Sequence, residues 1–142
     1  MSKHFNGSET KCHGNNYENY TAYGYSEPCG CGGGFGEQGT DPALLEALDA
    51  IRDELGVPLY TSCMYRCPIH NKRVGGVDNS AHRHGLAADI QTPEGFTPQS
   101  LTRSIVAITQ RLFPGEPFGI GTYSWGVHFS RGAGEGRFNG DY

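Results

Sequence analysis

Ser80-Ala81-His82-Arg83-His84-Gly85-Leu86-Ala87-Ala88-Asp89-Ile90 decides how this chain is read. It carries two imidazoles and a carboxylate among small residues, and it ends in an apolar, strand-like step. If the chain turns at Gly85, His82 and Asp89 can meet at one metal ion. Zinc accepts nitrogen from His and oxygen from Asp, usually in a tetrahedron, and a catalytic site adds a third protein ligand and leaves the fourth position to water. His128, in Trp125-Gly126-Val127-His128-Phe129, is the third ligand this pattern calls for.

Outward from that stretch, the composition describes one domain. The chain has 142 residues, a net charge of −4 and 36% hydrophobic residues, with room for a single core. Its 22 glycines point to long loops around that core, and loops are where sites are built. No basic stripe is visible, so nucleic acid is not an expected partner. No apolar run reaches membrane-spanning length. The start, Met1-Ser2-Lys3-His4-Phe5-Asn6, lacks the apolar stretch of a signal peptide. The expectation is cytoplasmic synthesis, with any action outside the cell reached by a route such as lysis. The sequence leaves the oligomeric state open.

Residues 1–40 read as an irregular arm rich in Cys, Tyr and Gly, and residues 41–142 as the folded domain. Tyr17, Tyr20, Tyr23 and Tyr25 follow no helical or alternating period, but aromatics and cysteines both call for burial or partners. The first helix is capped by Asp41, begins with Pro42 and ends before Gly56 and Pro58. Leu44, Leu48, Ile51 and Leu55 form its apolar stripe. A short strand is expected over Val57 to Thr61, then a loop to Ser80 with a short helix near His70. Leu86 to Ile90 reads as a strand carrying Asp89 inward. Thr97-Pro98 opens a second helix with Leu101, Ile105, Ile108 and Leu112 on one face. Strands over Phe118 to Tyr123 and Gly126 to Phe129 follow, then a polar, glycine-rich tail. Gly30-Cys31-Gly32-Gly33-Gly34 neither follows a strand nor opens a helix, so it is not a phosphate loop.

Ser80-x-His82-x-x-Gly85-x-Ala87-x-Asp89-Ile90 followed by Gly126-Val127-His128 resembles the zinc D-Ala-D-Ala carboxypeptidase family, whose fold is shared with the Hedgehog signalling domain. Ser62-Cys63-Met64-Tyr65-Arg66-Cys67-Pro68-x-His70-Asn71 and Val74-Gly75-Gly76-Val77-x-Asn79-Ser80 agree with it. Phe5 and Cys29-Gly30-Cys31 echo a short N-terminal stretch found in relatives. The resemblance implies an α+β fold, Hedgehog/DD-peptidase-like. Two main helices would pack on a small, mostly antiparallel sheet, with a zinc cleft on the sheet's other face. It implies one catalytic Zn2+ on His82, Asp89 and His128, and a peptidoglycan stem peptide as substrate, cut by a carboxypeptidase or a related endopeptidase. The setting would be the cell wall, with a phage-associated carrier among the options. The other reading is a zinc-containing binding module of the same fold that does not cleave.

Metal-assisted peptide hydrolysis needs a metal, a base for the water's proton, and a group that holds substrate or steadies the oxyanion. In relatives the arginine of the second block lines the cleft, which points to Arg66, whose planar guanidinium can grip a carboxylate at two points. Tyr65, Ser80 and Trp125 are the expected cleft walls. The base is the departure: many relatives place an acid shortly before the last histidine, and Gly119 to Val127 has none. Another branch has an aspartate two positions after it, where this chain has Ser130. Glu116, Glu135, Asp141 and His84 remain, and His84 is taken as the catalytic candidate because imidazole titrates near neutrality and it lies between two ligands.

Five cysteines, Cys12, Cys29, Cys31, Cys63 and Cys67, leave one over from any set of disulfides. A disulfide from Cys63 or Cys67 to the arm ranks above a structural zinc drawing on these cysteines, His13 and His70, because Cys-x-Cys and Cys-x-x-x-Cys are looser than the common Cys-x-x-Cys. Either would staple the arm to the Arg66 loop.

Overall fold

A computed structural model describes residues 3–5, 10–15, 21–31, 40–76 and 80–131. Among the described residues the architecture is α+β: three helices and a four-stranded antiparallel sheet. Helix α1 spans Pro42–Leu55, α2 Pro68–Arg73 and α3 Pro98–Leu112. Strands β1 (Thr61–Cys63), β2 (Ala87–Gln91), β3 (Phe118–Thr122) and β4 (Gly126–Arg131) lie in the order β1-β2-β4-β3. No helix of the described residues is long and apolar enough to cross a membrane.

Each helix begins where a short polar side chain meets a proline. The Asp41 carboxylate accepts the Leu44 N–H at 3.2 Å, and Pro42 gives up no needed donor in the first turn. Gly56 closes α1 in the left-handed region at φ 69°, with its N–H on the Arg52 carbonyl. Thr97 and Ser100 cap α3 reciprocally at 2.9 and 3.0 Å. Leu112 does not join the stripe of α3: it is exposed, and Phe113 just beyond the helix packs on the core instead.

The strands alternate as a half-buried sheet must. Ala88 and Ile90 on β2, and Val127 and Phe129 on β4, face the helices and are fully buried. Asp89 and His128 lie between them in sequence and so face the other way. Phe118 stacks on Phe129 at 5.2 Å, and burying such a ring stabilises by roughly 1.5–3 kcal/mol. Strand β1 starts later than its sequence suggests because Pro58 has no N–H for a ladder; pairing begins where Gln91 N–H reaches the Tyr60 carbonyl at 2.9 Å. A bulge in β1 then sets Thr61 against Ile90 and Cys63 against Asp89.

The described parts of the arm pack on this frame. Phe5 is part of the main core. The Lys3 and His4 N–H groups donate to Asp49 of α1, and His4 Nε2 lies 2.7 Å from Asp53. Asn79, Tyr17, Tyr20, Glu135 and Asp141 lie outside the described residues.

Candidate metal centre and cleft

The stretch that opened the reading folds as a 3-10 turn, Ala81–His84, feeding β2. Ser80 Oγ accepts the His82 N–H at 3.2 Å and starts the turn. Gly85 ends it at φ 67°, where its N–H and that of Leu86 fold back to the His82 and Ala81 carbonyls. The reversal brings His82 over β2, so that its Nε2 stands 3.2 Å from Asp89 Oδ1. The β2–β4 ladder pairs Asp89 directly with His128, whose Nδ1 stands 3.0 Å from the same oxygen. The two imidazoles meet edge to face, 5.1 Å between centroids.

Two imidazole nitrogens converge on one carboxylate oxygen, a set that N–H donors or a shared cation can each hold together. Bonds of about 2.0–2.2 Å to a tetrahedral zinc place ligand atoms roughly 3.3–3.6 Å apart. The two separations from Asp89 Oδ1 are near this, but the ligand atoms that all stand within 4.8 Å of one another are those of Cys63, His82 and Asp89, and His128 joins them through Asp89. His82 Nδ1–H donates to the Met64 carbonyl, which leaves the Nε2 lone pair to face Asp89. Orientation of a metal-binding imidazole through its far nitrogen is a recurrent feature of such sites. Burial opposes ionisation of Asp89, but where the His128 and His82 rings are protonated their N–H donors and charge outweigh it and hold the carboxyl well below the usual range. His82 is 1% exposed, so its imidazole is committed to this geometry.

Beside this trio opens a cleft of about 360 Å³ lined by Asp89, Arg66, Cys63, Ser62, His70, Val74, Tyr23 and Trp125. Among the described residues Asp89 is its one carboxylate. Arg66 is anchored through its backbone, whose N–H donates to the His82 carbonyl at 3.0 Å. Cys63 Sγ lies 3.8 Å from His82 Nδ1 and within reach of a metal shared with His82 and Asp89. Burial above all pushes the Cys63 thiol up to about 12, against the pull of Arg66, so at neutral pH it is a protonated, poor nucleophile. Trp125 stands at the rim, stacked on Tyr123 at 5.3 Å.

A family model described as Peptidase M15 matches residues 26–130, most of the chain. The chain belongs to the peptidase M15 family. Neither a curated protein nor a solved structure matches it. Membership makes this M15 protein a peptidase of a metallopeptidase family.

The expected site residues of the M15 peptidase fall in three places. His82 and His128 each reach Asp89 Oδ1, with Arg66 and Trp125 on the adjoining cleft. Ser80 is buried and serves the 3-10 turn, while Tyr65 turns away from the cleft to pack on Cys12, Cys29 and Cys67. His84 is exposed and outside the cleft lining, and Glu116 pairs with Arg131 at 3.2 Å. Tyr23, Ser62 and Val74 line the cleft without having been singled out. Tyr23 reaches it from the arm, and no periodicity ties that arm to the domain.

His70 gives a pH signature. Its buried ring packs on Tyr23 at 5.2 Å, and a Cβ on Gly14 would come within 2.6 Å of it. Burial first, then the charges of Arg66, His13 and Arg73, push its imidazole down to about 4 from 6.5. The unfolded chain therefore takes a proton near 6.5 that the folded chain refuses until about 4. Stability from this group is full above pH 6.5 and is lost as pH falls toward 4. Melting temperatures at pH 7 and pH 5 should drop more for the native protein than for His70→Gln. Equal drops would mean that another group carries the acid sensitivity.

Proposed function

We propose that this M15 peptidase is a zinc-dependent hydrolase of peptidoglycan stem peptides, as a D-Ala-D-Ala carboxypeptidase or a related endopeptidase acting at the cell wall. His82, Asp89 and His128 would hold the zinc. The observation that carries the reading is the convergence of His82 Nε2 and His128 Nδ1 on Asp89 Oδ1 at the edge of a cleft. When bound there, zinc supplies Lewis acidity toward the scissile carbonyl and the attacking water.

The chain's own groups do the positioning. Met64 fixes the tautomer of His82, so its Nε2 presents a lone pair. Asp89 stays ionised and supplies the negative charge of the ligand set. Arg66 lines the cleft beside Asp89 and offers a cation to a terminal carboxylate or to a carbonyl that becomes anionic. Trp125 and Tyr23 give it apolar walls for a peptide backbone to lie against.

Arg66→Gln should raise KM for a stem peptide with a free terminal carboxylate about 10–100-fold, the worth of roughly 1.5–3 kcal/mol for a charged hydrogen bond. Zinc content should not change. If a C-terminally amidated peptide suffers the same loss, Arg66 does not grip that carboxylate.

A second reading, favoured by the lack of a second carboxylate among the described cleft residues, is a zinc-containing module that binds cell-wall peptides without cutting them. Zinc content together with D-Ala release from a peptide ending in D-Ala-D-Ala, with and without chelator, separates the two. Chelator-sensitive release supports the carboxypeptidase. Binding with no cleavage of this or longer stem peptides supports the module.

A further inference from the structure

Four thiols meet on the far side of the Arg66 loop. Cys12 stands just before a 3-10 turn, His13–Asn15, and Cys67 caps α2. Cys29 and Cys31 flank Gly30, whose φ of 82° folds the tripeptide so that the two sulfurs stand 3.3 Å apart. Cys12 Sγ is 3.9 Å from Cys29 Sγ, and all four sulfurs lie within 4.8 Å of one another. Cys12, Cys29 and Cys67 are buried and Cys31 is half-buried. None of the four lines the cleft.

Ordinary packing does not gather four thiols at mutual contact from three separate segments. Disulfides account for them poorly: a bonded pair needs about 2.05 Å, and here each sulfur faces the group rather than one partner. A tetrahedral zinc with bonds of about 2.3 Å to sulfur sets its ligands roughly 3.8 Å apart, the scale of these separations. Two sulfurs already accept backbone N–H groups, Cys12 from Cys67 at 3.5 Å and Cys67 from His70 at 3.4 Å. Such donors orient thiolate ligands and offset their charge.

We propose that Cys12, Cys29, Cys31 and Cys67 bind a second zinc, a closed structural site that fastens the arm to the Arg66 loop. Four protein ligands leave no position for water, so the site is structural. A domain with a small apolar core gains most from such a staple. The sequence ranks it below a disulfide because the ligands are spaced over three segments with no Cys-x-x-Cys pair.

Metal analysis of the full chain, purified under reducing conditions, tests this alongside His82→Ala. Two zinc ions in the native chain and one in His82→Ala support both sites. One zinc in each supports the thiol site and overturns the catalytic ligand set. One in the native chain and none in His82→Ala overturns the thiol site alone. Cobalt loaded into the native chain should give intense thiolate charge-transfer absorption, which reads the four-sulfur set directly even if a variant fails to fold. Its absence, disulfides among these four cysteines, or iron in place of zinc would each overturn the proposal.

Discussion

Replacing Asp89 by asparagine should lower stem-peptide hydrolysis by roughly a thousandfold while leaving the sheet intact. Asparagine has the same shape but no charge, and it would face two imidazole nitrogens that now point at Oδ1 from 3.0 and 3.2 Å. The ligand set would lose its only negative member, and the Lewis acidity it supports is worth several kcal/mol. The strand itself should survive, because Asp89 faces away from the core and its neighbours Ala88 and Ile90 keep the β2 face buried. Peptide release and zinc content should therefore fall together while far-ultraviolet circular dichroism stays unchanged. A variant that kept its zinc and its turnover would remove Asp89 from the site.

Gly126→Ala should cost about 3 kcal/mol and also damage the site, the second large effect. A Cβ at this position would run into the Ile90 carbonyl and come within 3.1 Å of the Gln91 Cα. The obstacle is backbone on the neighbouring strand, which cannot swing aside as a flexible side chain could. Relief requires β2 and β4 to part where Gln91 pairs with Gly126, two positions along the ladder from the Asp89–His128 pair. Overpacking of this kind typically costs 1–3 kcal/mol or more. Urea unfolding would give the stability loss, and zinc affinity should weaken with it. A Gly126→Ala protein with native stability would show that the strands part without penalty.

Much of this was legible because the signals are local. Helix α1 announces itself through Asp41, Pro42, the leucine stripe and Gly56, all within sixteen residues of chain. His82, Gly85 and Asp89 are close enough in sequence that a single turn decides whether they meet, and His128 stands out as the sole histidine of its segment. What was not legible depends on distant segments. The bulge that sets Cys63 opposite Asp89 arises only in the pairing of β1 with β2, and the meeting of Cys12, Cys29, Cys31 and Cys67 depends on how the arm lies against α2. Tyr65 illustrates the limit: neighbouring residues of an irregular loop divide their faces, and Arg66 took the cleft while Tyr65 took the thiols.

The pairing of Asp89 with His128 joins residues 39 apart, across the two central strands. No fragment shorter than the whole β2–α3–β3–β4 segment contains both, so the donor set comes into being only once that long-range ladder has closed. An ion bound there meets the native chain and hardly meets the denatured one, and so it raises the melting temperature by mass action. Contacts made after the folding barrier slow unfolding rather than hasten folding. On the proposed ligand set the consequence is kinetic: a chain holding an ion there would gain lifetime, and the proposed reaction centre would double as the clasp that delays the sheet from coming apart.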